Sequence, residues 1–139
     1  MFLLGVPLLI FSFAIYNIVA FLLHGFSWSM VVAEFKLASG GDIAITASDL
    51  IIGGSILILL IEMVKAARLS RRSIVDHILS MVLFVAMLIE FLLVPQAGTV
   101  TFLLLLVISF VDVTGGFAVS IRAAQRDISF SGADGAHPL

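Results

Sequence analysis

The sequence predicts an all-α integral membrane protein: a four-helix antiparallel transmembrane bundle with a short extracytoplasmic hairpin or interfacial helix. Three observations lead there. Apolar residues make up 62% of the 139, charged residues only 12%, and the mean hydropathy is +1.28, more apolar surface than a water-soluble domain can hide. Four apolar runs, residues 2–24, 49–67, 74–94 and 98–121, each approach the ~20 residues needed to cross ~30 Å of hydrocarbon. The basic residues are confined to one side of those runs, which sets an orientation.

Residues 2–24 exceed the 7–15-residue apolar stretch of a signal peptide, and no Lys or Arg precedes them, so the first run is expected to be a retained span. The loop that follows has two readings. Trp28, Val31, Val32 and Phe35 have the spacing of an interfacial amphipathic helix, whereas residues 31–37 and 42–46 flank Gly40-Gly41 as in a β-hairpin. The β-branched content and the paired glycines favour the hairpin, with Trp28 as an interfacial anchor in either case.

Thr46-x-x-Asp49 resembles a capping box opening the second span. Within that span Ser48, Ser55 and Glu62 fall at heptad spacing beside Gly53 and Gly54, which predicts a helix-packing face; Glu62 and Lys65 form an i, i+3 pair at its inner end. The third span should stop at Val94, because Pro95 disfavours helical geometry in the residue before it; Gly98 then releases the chain into the fourth. Both short links predict hairpins, so the second, third and fourth spans are expected to be sequential neighbours. Residues 1–126 form one transmembrane domain, and the Ser-, Gly- and Ala-rich residues 127–139 are expected to be a disordered tail.

Lys65, Arg68, Arg71 and Arg72 lie at or between spans two and three, and Arg122 and Arg126 follow span four; of the basic residues only Lys36 falls on the other side. These are the topology-determining residues, and they put both termini in the cytoplasm, in a membrane of the bacterial inner (plasma) type. No basic stripe suggests nucleic acid, and the absence of cysteine excludes disulfides and thiolate metal sites.

Asp112 is the candidate functional residue, because it sits in a run with no other charge. It shares a small, polar stripe with Thr101, Ser109, Gly116 and Ser120, next to Gly115, which predicts a close helix seam. Counting the rise per residue, it lies about 20 Å from the outer end of its span and about 13 Å from the inner end. Within the chain no Lys, Arg or His is placed to balance it, so it is either protonated or paired with a group supplied from outside. Glu90 falls nearer the outer boundary, where Tyr16 and Asn17 are expected to join it in a polar network. His24 and His77 sit at opposite ends of the bundle, so one chain cannot offer both to a haem, and no pattern names a cofactor.

No Ser, His and acid form a catalytic constellation, so an enzyme is not expected. The expected function is an accessory or structural subunit, or a self-associating component, of a membrane complex, its partners being lipid and either its own copies or a larger assembly. The alternative is an oligomeric proton or cation channel or transporter using Asp112, with Glu90 towards the outer mouth and Glu62 towards the inner.

Overall fold

In a computed structural model, which describes residues 5–68 and 74–134, the chain is mostly helical, with a single two-stranded sheet among the described residues. Three of its helices are long and apolar enough to cross a membrane. Helix α1, Leu9–Leu22, has 14 residues and is shorter than the apolar run that predicted it. Pro7 explains its start: the proline offers no N–H, and its carbonyl accepts from Ile10 N at 3.1 Å in a tight first turn. At the other end Leu23 N closes on Val19 O, and Gly25, at φ +84°, turns the chain away.

The loop resolves as the hairpin. Strand β1, Val31–Lys36, pairs antiparallel with β2, Asp42–Thr46, setting Phe35 opposite Ile43 and Lys36 opposite Asp42, with a bulge between Val31 and Ala33. Leu37 N donates to Gly41 O and Gly40 N to Leu37 O, and only a glycine suits Gly40 at φ +85°. The half-buried Trp28 stacks its ring on Tyr16 at 4.7 Å.

Helix α2, Ala47–Arg68, follows β2 without a linker. The capping box forms reciprocally, Thr46 N donating to Asp49 Oδ2 at 2.8 Å and Asp49 N to Thr46 Oγ1 at 3.2 Å. Helix α3, Ile74–Leu93, ends before the extended Val94 and a single 3-10 turn, Pro95–Ala97, as the proline requires. Thr99 then caps helix α4, Val100–Asp134, by accepting from Phe102 N at 3.1 Å. Helix α4 continues through residues 127–134, where composition suggested disorder; Ala123, Ala124, Gln125 and Arg126 are strong helix formers that carry it past the apolar segment. Residues 135–139 of the expected tail, and Arg71 and Arg72 of the basic link, lie outside the described residues.

Helix α4 is central. It packs along both α2 and α3, which hardly meet, so the expected sequential order is replaced by one in which the last helix lies between the two before it. Short links fix direction but not lateral order, and α4 alone has two buried faces, carrying Thr101, Phe102, Leu105, Ile108, Ser109 and Asp112. Ser48 bonds to Thr101, and Gly115 closes on Met63, so α2 and α4 run parallel. Phe84 meets Phe110, and His77 meets Phe117, so α3 is antiparallel to them. Helix α1 follows the direction of α3, from Gly5 beside Asp76 to Asn17 beside Glu90. The core around Phe102, Leu105 and Met87 is apolar, but Leu57, Val82, Leu92 and Val107 are exposed, whereas Asp112 is 2% and Glu62 5% exposed.

A polar column in the bundle interior as the candidate site

Polar side chains line the inside of the bundle at three levels. At the end nearest the β-hairpin the Tyr16 hydroxyl, on α1, lies 2.9 Å from Gln96 O and 2.7 Å from Thr99 Oγ1. With one hydrogen each, Tyr16 donates to the carbonyl and Thr99 donates to Tyr16, leaving the threonine lone pair for Phe102 N–H. Stacking on Trp28 and an edge contact with Phe102 complete the burial of this ring. Tyr16 therefore ties α1 to the α3–α4 turn and does not join Glu90, as its sequence position had suggested. Asn17 does reach Glu90, its Nδ2 lying 3.4 Å from Oε2.

At the middle level Ser55, fully buried on α2, bonds to Ser12 Oγ of α1 at 2.8 Å and to Ile51 O at 2.6 Å. Ser109 of α4 is buried one turn above Asp112. Heptad spacing had marked Ser48, Ser55 and Glu62 as one face of α2, and all three turn into the bundle, Ser48 by bonding to Thr101 at 2.8 Å.

The level farthest from the hairpin holds two carboxyls. The α2–α4 register sets Glu62 within one helical turn of Asp112, and the α3–α4 register sets Ser80 at the same height. All three are at least nine-tenths buried and none is without a partner. One expectation changes here. Glu62 does not stay at the surface beside Lys65, which is half-buried, but turns inward on the face it shares with Ser55. Asp112 shares its level with Glu62 and Ser80, which adding up depths helix by helix could not show. One turn further in, the His77 ring lies against Phe117, with neither nitrogen hydrogen-bonded among the described residues.

The glycines divide. A Cβ on Gly115 would lie 2.7 Å from Met63 Cε, so α2 and α4 approach closely there, and Gly116 beside it is buried. Gly53 and Gly54 have nothing within 4 Å of such a Cβ, so they form no seam inside the chain. Of the basic residues expected to set topology, Lys65 and Arg68 end α2, and Arg122 and Arg126, both exposed, lie on α4 beyond that same end of the bundle. Ser12 and Ser80 were missed, although Leu9, Ser12 and Tyr16 on α1 and His77, Ser80, Phe84 and Met87 on α3 recur at helical spacing.

Chemically, the column offers hydroxyls that donate and accept hydrogen bonds and carboxyls that can hold a proton; among the described residues no three His, Asp or Glu side chains gather as a metal site. No protein-family model matches the chain, and no curated protein and no solved structure is similar to it.

Proposed function

We propose that the chain is an integral membrane protein whose four helices cross the bilayer as an antiparallel bundle, and that it serves, without catalysing a reaction, as a subunit or self-associating component of a membrane complex. The exposed aliphatic surface carries this reading: such an exterior, around a core that also buries carboxyls and hydroxyls, suits lipid as solvent. Helix α1 is short, but together with the residues before it the chain from Gly5 to Asn17 covers the same depth as α3 from Asp76 to Glu90, which supports a fourth crossing. The basic end of α2 and α4 is the cytoplasmic side, with the β-hairpin opposite. Association is supported by Gly53, which is open to the outside of α2 and flanked by exposed Leu50 and Leu57.

Crosslinking in native membranes, followed by sizing in mild detergent, tests association. A dimer or larger species that Gly53→Leu weakens without unfolding the chain supports it; a monodisperse monomer with no crosslinked partner refutes it.

The inner polar level favours a second reading, proton or cation conduction through an oligomer, with Asp112 as the protonatable site and Glu62 beside it. Flux in reconstituted vesicles that Asp112→Asn abolishes supports conduction. Flux that survives removes Asp112 from the mechanism, and no flux removes the reading.

A further inference from the structure

Helix α1 leans on α2 and α4 rather than on α3, which leaves an open groove of about 520 Å³ between α1 and α3 towards the hairpin end of the bundle. Its size is that of a small-molecule site. Phe21, Ala86, Ile89 and Leu93 make its walls apolar, and its only polar side chains are Asn17 and Glu90. These two are poorly satisfied. Asn17 Nδ2 spends its better hydrogen bond on its own helix, at Phe13 O and 3.0 Å, and reaches Glu90 Oε2 only at 3.4 Å. Glu90 Oε1 is buried with no hydrogen-bond partner among the described residues. A carboxyl in such a place has acceptor capacity that the described residues leave unused.

We infer that this groove binds an uncharged lipid with a terminal hydroxyl, a long-chain or isoprenoid alcohol, whose O–H donates to Glu90 while its chain lies along Phe21, Ile89 and Leu93. The inference rests on membrane insertion but not on association or conduction. Depth selects the hydroxyl. Glu90 lies one helical turn, about 6 Å, inside Val94, below the level of phospholipid ammonium groups, whose phosphates the carboxylate would oppose. A neutral alcohol brings a donor to that depth without a charge.

The test uses the full chain in phosphatidylcholine vesicles with a photoactivatable diazirine derivative of hexadecanol, and the matched methyl ether as the probe without a donor. The hydroxyl probe labels the segment 86–94 about tenfold more than the ether, the ratio one hydrogen bond supports. Glu90→Leu brings the two probes to equal labelling, and Ala86→Trp, which fills the groove, abolishes both. Glu90→Gln, closer in shape, lowers the ratio and serves if the leucine variant does not fold. Equal labelling of the wild type by both probes overturns the inference, as does labelling untouched by Ala86→Trp, or a groove crosslinked to a second copy with lipid excluded. Extraction of the same vesicles at alkaline pH reports failed insertion separately.

Discussion

Removing one oxygen from Tyr16 should loosen the attachment of α1 to the rest of the bundle. In Tyr16→Phe the ring keeps its place between Trp28 and Phe102, so packing is unchanged and only the hydroxyl is lost. Two hydrogen bonds go with it: Gln96 O loses a donor, and the Thr99 hydroxyl loses its acceptor. Each such bond contributes ~1 kcal/mol net, and leaving a partner unsatisfied costs ~1–3 kcal/mol. Gln96 is exposed and Thr99 half-buried, so solvent recovers part of this, and the substitution should cost about 1–2 kcal/mol in all. Thr99→Ala should cost about as much, because it removes the α4 cap as well. The two losses share one hydrogen bond. The double variant should therefore be less destabilised than the sum of the singles, with a coupling of about 1 kcal/mol. Reversible denaturant unfolding in detergent micelles, followed by circular dichroism and by Trp28 fluorescence, measures all four corners of the cycle. A coupling near zero, or a Tyr16→Phe cost below ~0.5 kcal/mol, would refute the assignment of Tyr16 as the clasp of α1.

Substitutions at four further positions probe the framework in the same unfolding assay. Asp49→Ala removes the reciprocal cap at the β2–α2 junction and should cost about 1 kcal/mol, with Asp49→Asn recovering most of it. Gly115→Ala should be nearly neutral, because the atom in its way is the mobile methyl of Met63, whereas Gly115→Leu should overpack the α2–α4 seam by about 1–3 kcal/mol. Gly40→Ala should cost about 1 kcal/mol through its positive φ and raise amide exchange in the hairpin first, while Gly41→Ala, which carries no such constraint, should cost less.

The long helices were legible because hydropathy runs and Pro95 mark them directly, and the hairpin because Gly40 and the β-branched strands outweigh a helical spacing of only four apolar residues. The ends of α1 and α4 were less so. Hydropathy reports where lipid-compatible residues stop, but Pro7 starts α1 inside its apolar run, and Ala123 to Arg126 extend α4 beyond its own. For the candidate site, the face of α2 through Ser48, Ser55 and Glu62 and the stripe of α4 through Thr101, Ser109 and Asp112 could be read separately from their spacing. That the two face one another depends on α4 packing between α2 and α3, a choice among lateral arrangements that no local pattern encodes. Tyr16 was misassigned for a related reason: its depth matched Glu90, but its direction around α1 aims it at the turn after α3.

The central claim is that the aliphatic exterior of this bundle faces lipid and its polar side chains face inward, and the absence of native cysteine makes it directly testable. Single cysteines at Leu57, Val82 and Val107, all exposed in the structure, and at Ser39 and Ser129, at opposite ends of the protein, can be challenged in sealed membrane vesicles with a membrane-impermeant maleimide. Membrane insertion predicts that positions 57, 82 and 107 resist the reagent until detergent is added, while 39 and 129 react from opposite sides. Rapid labelling of the mid-helix positions in intact vesicles, or labelling of 39 and 129 from the same side, would contradict it.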